Sequence, residues 1–182
     1  KSVKRGIGDT FVISDLPFLS YHVSKEQAIE SAGLMIKAGA HAVKLEGGEY
    51  FAETVYALTR CSIPVCGHLG MTPQSYNSLG GFKLQGKDEA EAERIMQDAR
   101  LLQEAGAFAL VLELVPESLA KRISEELDLA VIGIGAGRYC DGQVLVVHDV
   151  LGISPPPLPK FVRRYAEINE QAIDGLQNWI AD

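Results

Sequence analysis

The sequence predicts an α/β protein built on a parallel sheet, with its chemistry gathered where the strands end. Strand and helix signals alternate along the whole chain, which favours crossover helices over any meander. Two stretches, Lys37-Ala-Gly-Ala-His-Ala-Val-Lys-Leu-Glu46 and Glu104-Ala-Gly-Ala-Phe-Ala-Leu-Val-Leu-Glu113, repeat one passage: a helix ends at a glycine and an apolar strand runs into a glutamate. Polar groups also recur at the ends of the other strands, where α/β barrels and open α/β sheets assemble their active sites.

Each element has a local reason. Thr10 to Ser14 reads as a first strand. Ser24 with Gln27 forms a capping box that opens a helix burying Ala28, Ala32 and Met35 and closing at Gly39. Ala42 to Glu46 is the second strand, and Phe51, Val55 and Leu58 mark one face of the following helix. Pro64 to Gly67 is a short third strand; a glycine-dotted loop, His68 to Lys87, follows, and its length suggests function. A helix with Ala92, Ile95, Ala99 and Leu102 on its inner stripe leads to the fourth strand, Phe108 to Glu113. Pro116 suits the first turn of a helix carrying Leu119, Ile123 and Leu127. Ala130 to Ile134 is a fifth strand and Gln143 to Val147 a sixth. After Pro155-Pro-Pro, Lys160 to Ile180 reads as a terminal helix with Phe161, Tyr165, Ile168, Ala172 and Trp179 available for packing.

Composition bounds the function. At 182 residues and 47% hydrophobic, the chain suits one domain with a real core. A net charge of −7 without a basic stripe argues against nucleic acid or an anionic membrane as partner. The longest apolar runs are strand-sized, and nothing reads as a membrane span or secretory signal. Cys61, Cys66 and Cys140 form no CxxC pair and read as reduced, packing thiols of a cytoplasmic protein.

The repeat places Glu46 and Glu113 on alternate strands, which in a barrel point into the same layer. Asp15 follows the first strand, Lys44 shares a strand face with Glu46, and His68 follows the third strand, so five ionisable groups converge on one rim. Asp15 and Glu46 offer two hard oxygens for a divalent cation, magnesium by preference; the alternative is a solvated strand end or an acid capping the following helix. Lys44 would neutralise an anionic substrate or pair with Glu46. The apolar flanks of Glu113 suit it to proton transfer, against an internal salt bridge. His68 reads equally as a structural or a substrate-contacting histidine. Gly133-Ile-Gly-Ala-Gly137 lacks the GxGxxG spacing of a dinucleotide site.

Six ordered motifs resemble ketopantoate hydroxymethyltransferase: Asp15-Leu-Pro-Phe-Leu-Ser-Tyr21, Val43-Lys-Leu-Glu-Gly-Gly48, Pro64-Val-Cys-Gly-His-Leu-Gly-Met-Thr-Pro-Gln-Ser75, Gly80-Gly-Phe-Lys-Leu-Gln-Gly86, Leu112-Glu-Leu-Val-Pro116, and Ile132-Gly-Ile-Gly-Ala-Gly137 with Asp141-Gly-Gln143. The resemblance implies a (β/α)8 TIM barrel that transfers a hydroxymethyl group from 5,10-methylenetetrahydrofolate to 3-methyl-2-oxobutanoate, giving 2-dehydropantoate for pantothenate. It further implies Mg2+ as cofactor, Asp15 and Glu46 as metal ligands, Asp15 and Lys44 on the substrate, Glu113 as proton acceptor, and a homo-oligomer, typically a decamer.

Family members carry two further βα units before the segment matching Asp15, the second bearing an Asp-Ser pair for metal and substrate. The chain is therefore expected to form a partial barrel over 1–182, with 158–182 as a terminal helical segment, and to be one metal ligand short. Two other classes stay open: a magnesium-dependent carbon–carbon lyase of a related barrel, and an inactive fragment.

Overall fold

The structure, a computed structural model, describes residues 2–182. Its sheet is six-stranded and sequential, in the order β1 (Ile13–Asp15), β2 (Ala42–Lys44), β3 (Val65–Gly70), β4 (Ala109–Glu113), β5 (Ala130–Ile134) and β6 (Gly142–Gln143). The pairs from β1 to β5 are all parallel. This is the curled half-barrel form of the expected (β/α) architecture, with helices α2 (Lys25–Lys37), α3 (Glu49–Arg60), α5 (Glu89–Glu104) and α6 (Glu117–Glu126) as crossovers. A short helix α1 (Ser2–Gly6) precedes β1, and a 3-10 turn (Pro73–Ser75) and helix α4 (Tyr76–Leu79) lie between β3 and α5.

The chain forms two compact units, residues 1–142 and 143–182. In the second lie α7 (Val147–Val150) and α8 (Ile168–Ala181), the latter with no buried residue. Among the described residues, no helix is long and apolar enough to cross a membrane.

The helix ends follow their caps. Ser24 Oγ accepts from Gln27 N at 3.2 Å, Asp88 Oδ1 accepts from Glu91 N at 2.9 Å, and Gly39 and Gly106 take φ of 105° and 94° as α2 and α5 turn into strands. Ala28 and Ala32, Val55 and Leu58, Ala99 and Leu102, and Leu119 and Ile123 are buried with Val43, Leu45, Leu110 and Leu112 in the core between sheet and helices. Burying each of the Val, Leu and Ile side chains among these stabilises the fold by about 1.5–3 kcal/mol.

Strand alternation then fixes the other face. Cys66, Ala109 and Val111 form a second small cluster with Ile13, Ile132 and Ile134. Residues one or two pleats further along these strands, toward their carboxyl ends, are Asp15, Lys44, Glu46, His68 and Glu113. Burial pushes the Cys66 thiol up to about 11, so it packs as a neutral thiol.

Several expected boundaries move. The third strand extends from Val65 to Gly70 and so contains His68, which the sequence places in a loop. The sixth strand is only Gly142–Gln143; Val144 to Val146, expected to continue it, are not in a strand, and Val147 opens a helix, Val147–Val150. The terminal helix begins at Ile168 and not Lys160, because Tyr165 N–H is committed to Val150 O at 2.8 Å.

Candidate active site

Three strands deliver the central triad of the rim. Lys44 Nζ stands 3.1 Å from His68 Nδ1, and His68 Nε2 stands 3.3 Å from Glu113 Oε2, forming a continuous line across β2, β3 and β4. The register explains it: Lys44 pairs with Cys66 and His68 with Val111, so each inward side chain lies one pleat from the next. Asp15 Oδ1 extends the line from β1, 3.2 Å from Lys44 Nζ. Glu46 lies beside it, its Oε1 at 4.0 Å from Lys44 Nζ and 3.8 Å from His68 Nδ1. All five residues read from the sequence therefore converge.

They differ in access. The Asp15 side chain is 65% exposed, whereas that of His68 is 3% exposed, and Lys44, Glu46 and Glu113 are largely buried. Three carboxylates face one ammonium and one imidazole, an excess of acid that suits a cation or a proton-transfer step. Among the described residues, no three His, Cys, Asp or Glu side chains are arranged to hold a metal by themselves. Asp15 and Glu46 nevertheless fit Mg2+ in kind, since that ion commonly takes one or two protein carboxylates and completes its shell with water and substrate.

Glu46 is anchored by residues the sequence did not single out. Gln74 N–H donates to Glu46 Oε2 at 2.8 Å, and its side-chain amide donates to Leu16 O at 2.9 Å. Tyr21, buried in the β1–α2 connection, accepts from Glu46 N–H at 3.2 Å and donates to Gln74 Oε1 at 3.0 Å. Burial pushes its hydroxyl up to about 12. The Tyr21 ring packs against His22 and Phe51, with centroids at 4.0 and 5.1 Å. A tyrosine inside an apolar motif needs a hydroxyl partner, and that was the one available signal.

The backbone around Glu113 is shaped for its position. Gly70, its partner in the ladder, has φ +89°, and a Cβ there would lie 2.2 Å from Glu113 O. Met71 N–H donates to that same carbonyl at 2.8 Å, and Leu114 follows at φ +48°, a strained value for a side chain of its kind.

A crystal structure of phosphonopyruvate hydrolase superposes with a TM-score of 0.54 over 94% of this chain and 59% of that one, at 12% identity, a likeness of fold alone. Among curated proteins, the 3-methyl-2-oxobutanoate hydroxymethyltransferase of Thermoanaerobacter sp. (strain X514) is 52% identical over all of this chain and 67% of its own length. Its namesake in Bacillus licheniformis is 54% identical, again over all of this chain and 66% of its own length. The chain thus spans about two thirds of the length of these relatives. The family model for ketopantoate hydroxymethyltransferase matches residues 1–182. With a half-barrel whose strand ends gather these acids, and with half its residues shared with enzymes of that name, the chain belongs to the ketopantoate hydroxymethyltransferase family.

Proposed function

We propose that the protein transfers a hydroxymethyl group from 5,10-methylenetetrahydrofolate to 3-methyl-2-oxobutanoate, with Glu113 as the base. The observation that carries this reading is the placement of a largely buried carboxylate against His68 Nε2, on the same rim as a buried ammonium and two further acids. The balance is simple. Glu113 takes the C3 proton, C3 bonds to the one-carbon unit as the bond of that carbon to N10 breaks, and the proton passes to N10. Water then replaces N5 on the same carbon, its hydroxyl staying with the product and its proton going to N5, which gives tetrahydrofolate and 2-dehydropantoate, a precursor of pantothenate.

The chain's own groups have distinct tasks. Lys44 faces the substrate carboxylate, and Asp15 reaches the substrate from the exposed edge of the rim. Asp15 and Glu46 would hold Mg2+; polarisation of the 2-oxo group, which acidifies C3–H, is the chemistry that ion supplies when bound. His68 lines the wall between Lys44 and Glu113, and the connection after β3 borders the mouth. The same reading makes the enzyme a cytoplasmic homo-oligomer whose partners are the 2-oxo acid and the folate.

The test is deuterium exchange at C3 of 3-methyl-2-oxobutanoate, followed by proton NMR on the intact gene product with Mg2+ and tetrahydrofolate. Glu113→Gln is expected to slow exchange by about 10²–10⁴-fold. Unchanged exchange in that variant refutes the assigned base, and exchange indifferent to chelation of Mg2+ refutes the role of Asp15 and Glu46.

A further inference from the structure

The His68 ring is buried, and each of its nitrogens faces a group of fixed character. Nδ1 lies 3.1 Å from the Lys44 ammonium, which donates hydrogen bonds and accepts none. Nδ1 must then be the acceptor, because Glu46 Oε1, at 3.8 Å, is too far to receive a proton from it. The ring proton therefore resides on Nε2. That nitrogen is buried, lacks a well-aligned hydrogen-bond partner, and stands 3.3 Å from Glu113 Oε2. Among the described residues this is the one ion-pair distance found for the Glu113 carboxylate.

We infer that His68 is a positioning residue for Glu113, held by Lys44 as the Nε2–H tautomer so that its single proton steers one carboxylate oxygen and leaves the other for substrate. The inference rests on Glu113 being the base. Its physical content is a line of three side chains in which the group facing the substrate carboxylate also sets the orientation of the group facing C3. Gly47 N–H, bonded to His68 O at 3.0 Å, ties the strand that carries the ring to the connection after Glu46. Such an arrangement limits the freedom of the carboxylate, and misplacing a base by about 1 Å costs on the order of 10²-fold in rate.

Two measurements test it. In protein labelled with 15N-histidine, two-bond proton–nitrogen correlations report which ring nitrogen is protonated, and the His68 signal is assigned by its loss in His68→Gln. A proton on Nε2 is expected; a proton on Nδ1 overturns the inference, whatever the exchange assay shows. Second, the amide of His68→Gln reaches the Nε2 position, whereas that of His68→Asn reaches only the Nδ1 position. C3 exchange should fall less than about tenfold in the first and about 10²-fold in the second, in kcat with little change in KM. Equal losses in both variants overturn the positioning role. Should either variant fail to fold, the tautomer of the unaltered protein decides alone. Exchange retained in Glu113→Gln would instead remove the base assignment and leave the tautomer result standing.

Discussion

Replacing Tyr21 by Phe deletes one hydroxyl and takes a partner from one N–H donor and one oxygen acceptor. The hydroxyl accepts from Glu46 N–H and donates to Gln74 Oε1, in a side chain that is 1% exposed. Leaving a buried donor without a partner costs about 1–3 kcal/mol. For a chain of this length that corresponds to a melting temperature lower by about 2–12 °C. The hydroxyl adds a second, pH-dependent signature, because burial raises it from the ordinary 10 to about 12. Between those values the unfolded chain releases the phenol proton and the folded chain keeps it. The contribution of Tyr21 is therefore complete below pH 10 and falls by up to about 2–3 kcal/mol as pH rises to 12. Phe has nothing to titrate, so the stability gap between wild type and Tyr21→Phe should be largest near pH 8 and narrow steadily above pH 10. Urea unfolding of both proteins at pH 8, 10, 11 and 12 measures it. A gap that stays constant with pH, or no gap at pH 8, refutes the reasoning.

Two other substitutions probe the backbone around the site. Gly70→Ala forces a side chain into φ +89° and against Glu113 O, a backbone atom that cannot swing away. It should destabilise by at least about 1–3 kcal/mol and slow C3 exchange, and a variant of wild-type stability and rate would contradict the geometry. Asp98, on α5, accepts from Glu49 N–H at 2.8 Å and so caps α3 from a neighbouring helix. Asp98→Ala should cost about 1 kcal/mol and speed amide exchange in the first turn of α3, while Asp98→Asn should keep most of the cap.

The parts of the fold set by short-range chemistry were legible. The glycines at 39 and 106 adopt the positive φ that their place after a helix demands, and the apolar stripes of α2, α3, α5 and α6 are the ones packed in or against the core, with Met35, Phe51, Ala92, Ile95 and Leu127 only partly buried. Glu46 and Glu113 were reachable from the repeat because period-two alternation sends both to the face opposite the Val43 and Leu112 side. The end of β3 was hidden by its glycines, which read as loop residues. Gly67 is instead a packing choice, since a Cβ there would lie 2.8 Å from Leu102 Cδ1. The Val144 to Val147 stretch has strand composition, yet its backbone turns, Asp149 N–H bonding to Val146 O at 2.9 Å. Gln74 was invisible for a different reason: its decisive bond is made by a main-chain amide, to a residue 28 positions away.

That glutamine has a consequence for how this part of the molecule can change. Its three bonds reach Leu16 and Tyr21 after β1 and Glu46 after β2, so successive connections share one fastening. Inserting a residue into any one of them unseats the other two, and drift there has to be concerted. The stretch from Asn77 to Lys83, largely at the surface and outside that fastening, is free to lengthen or shorten on its own.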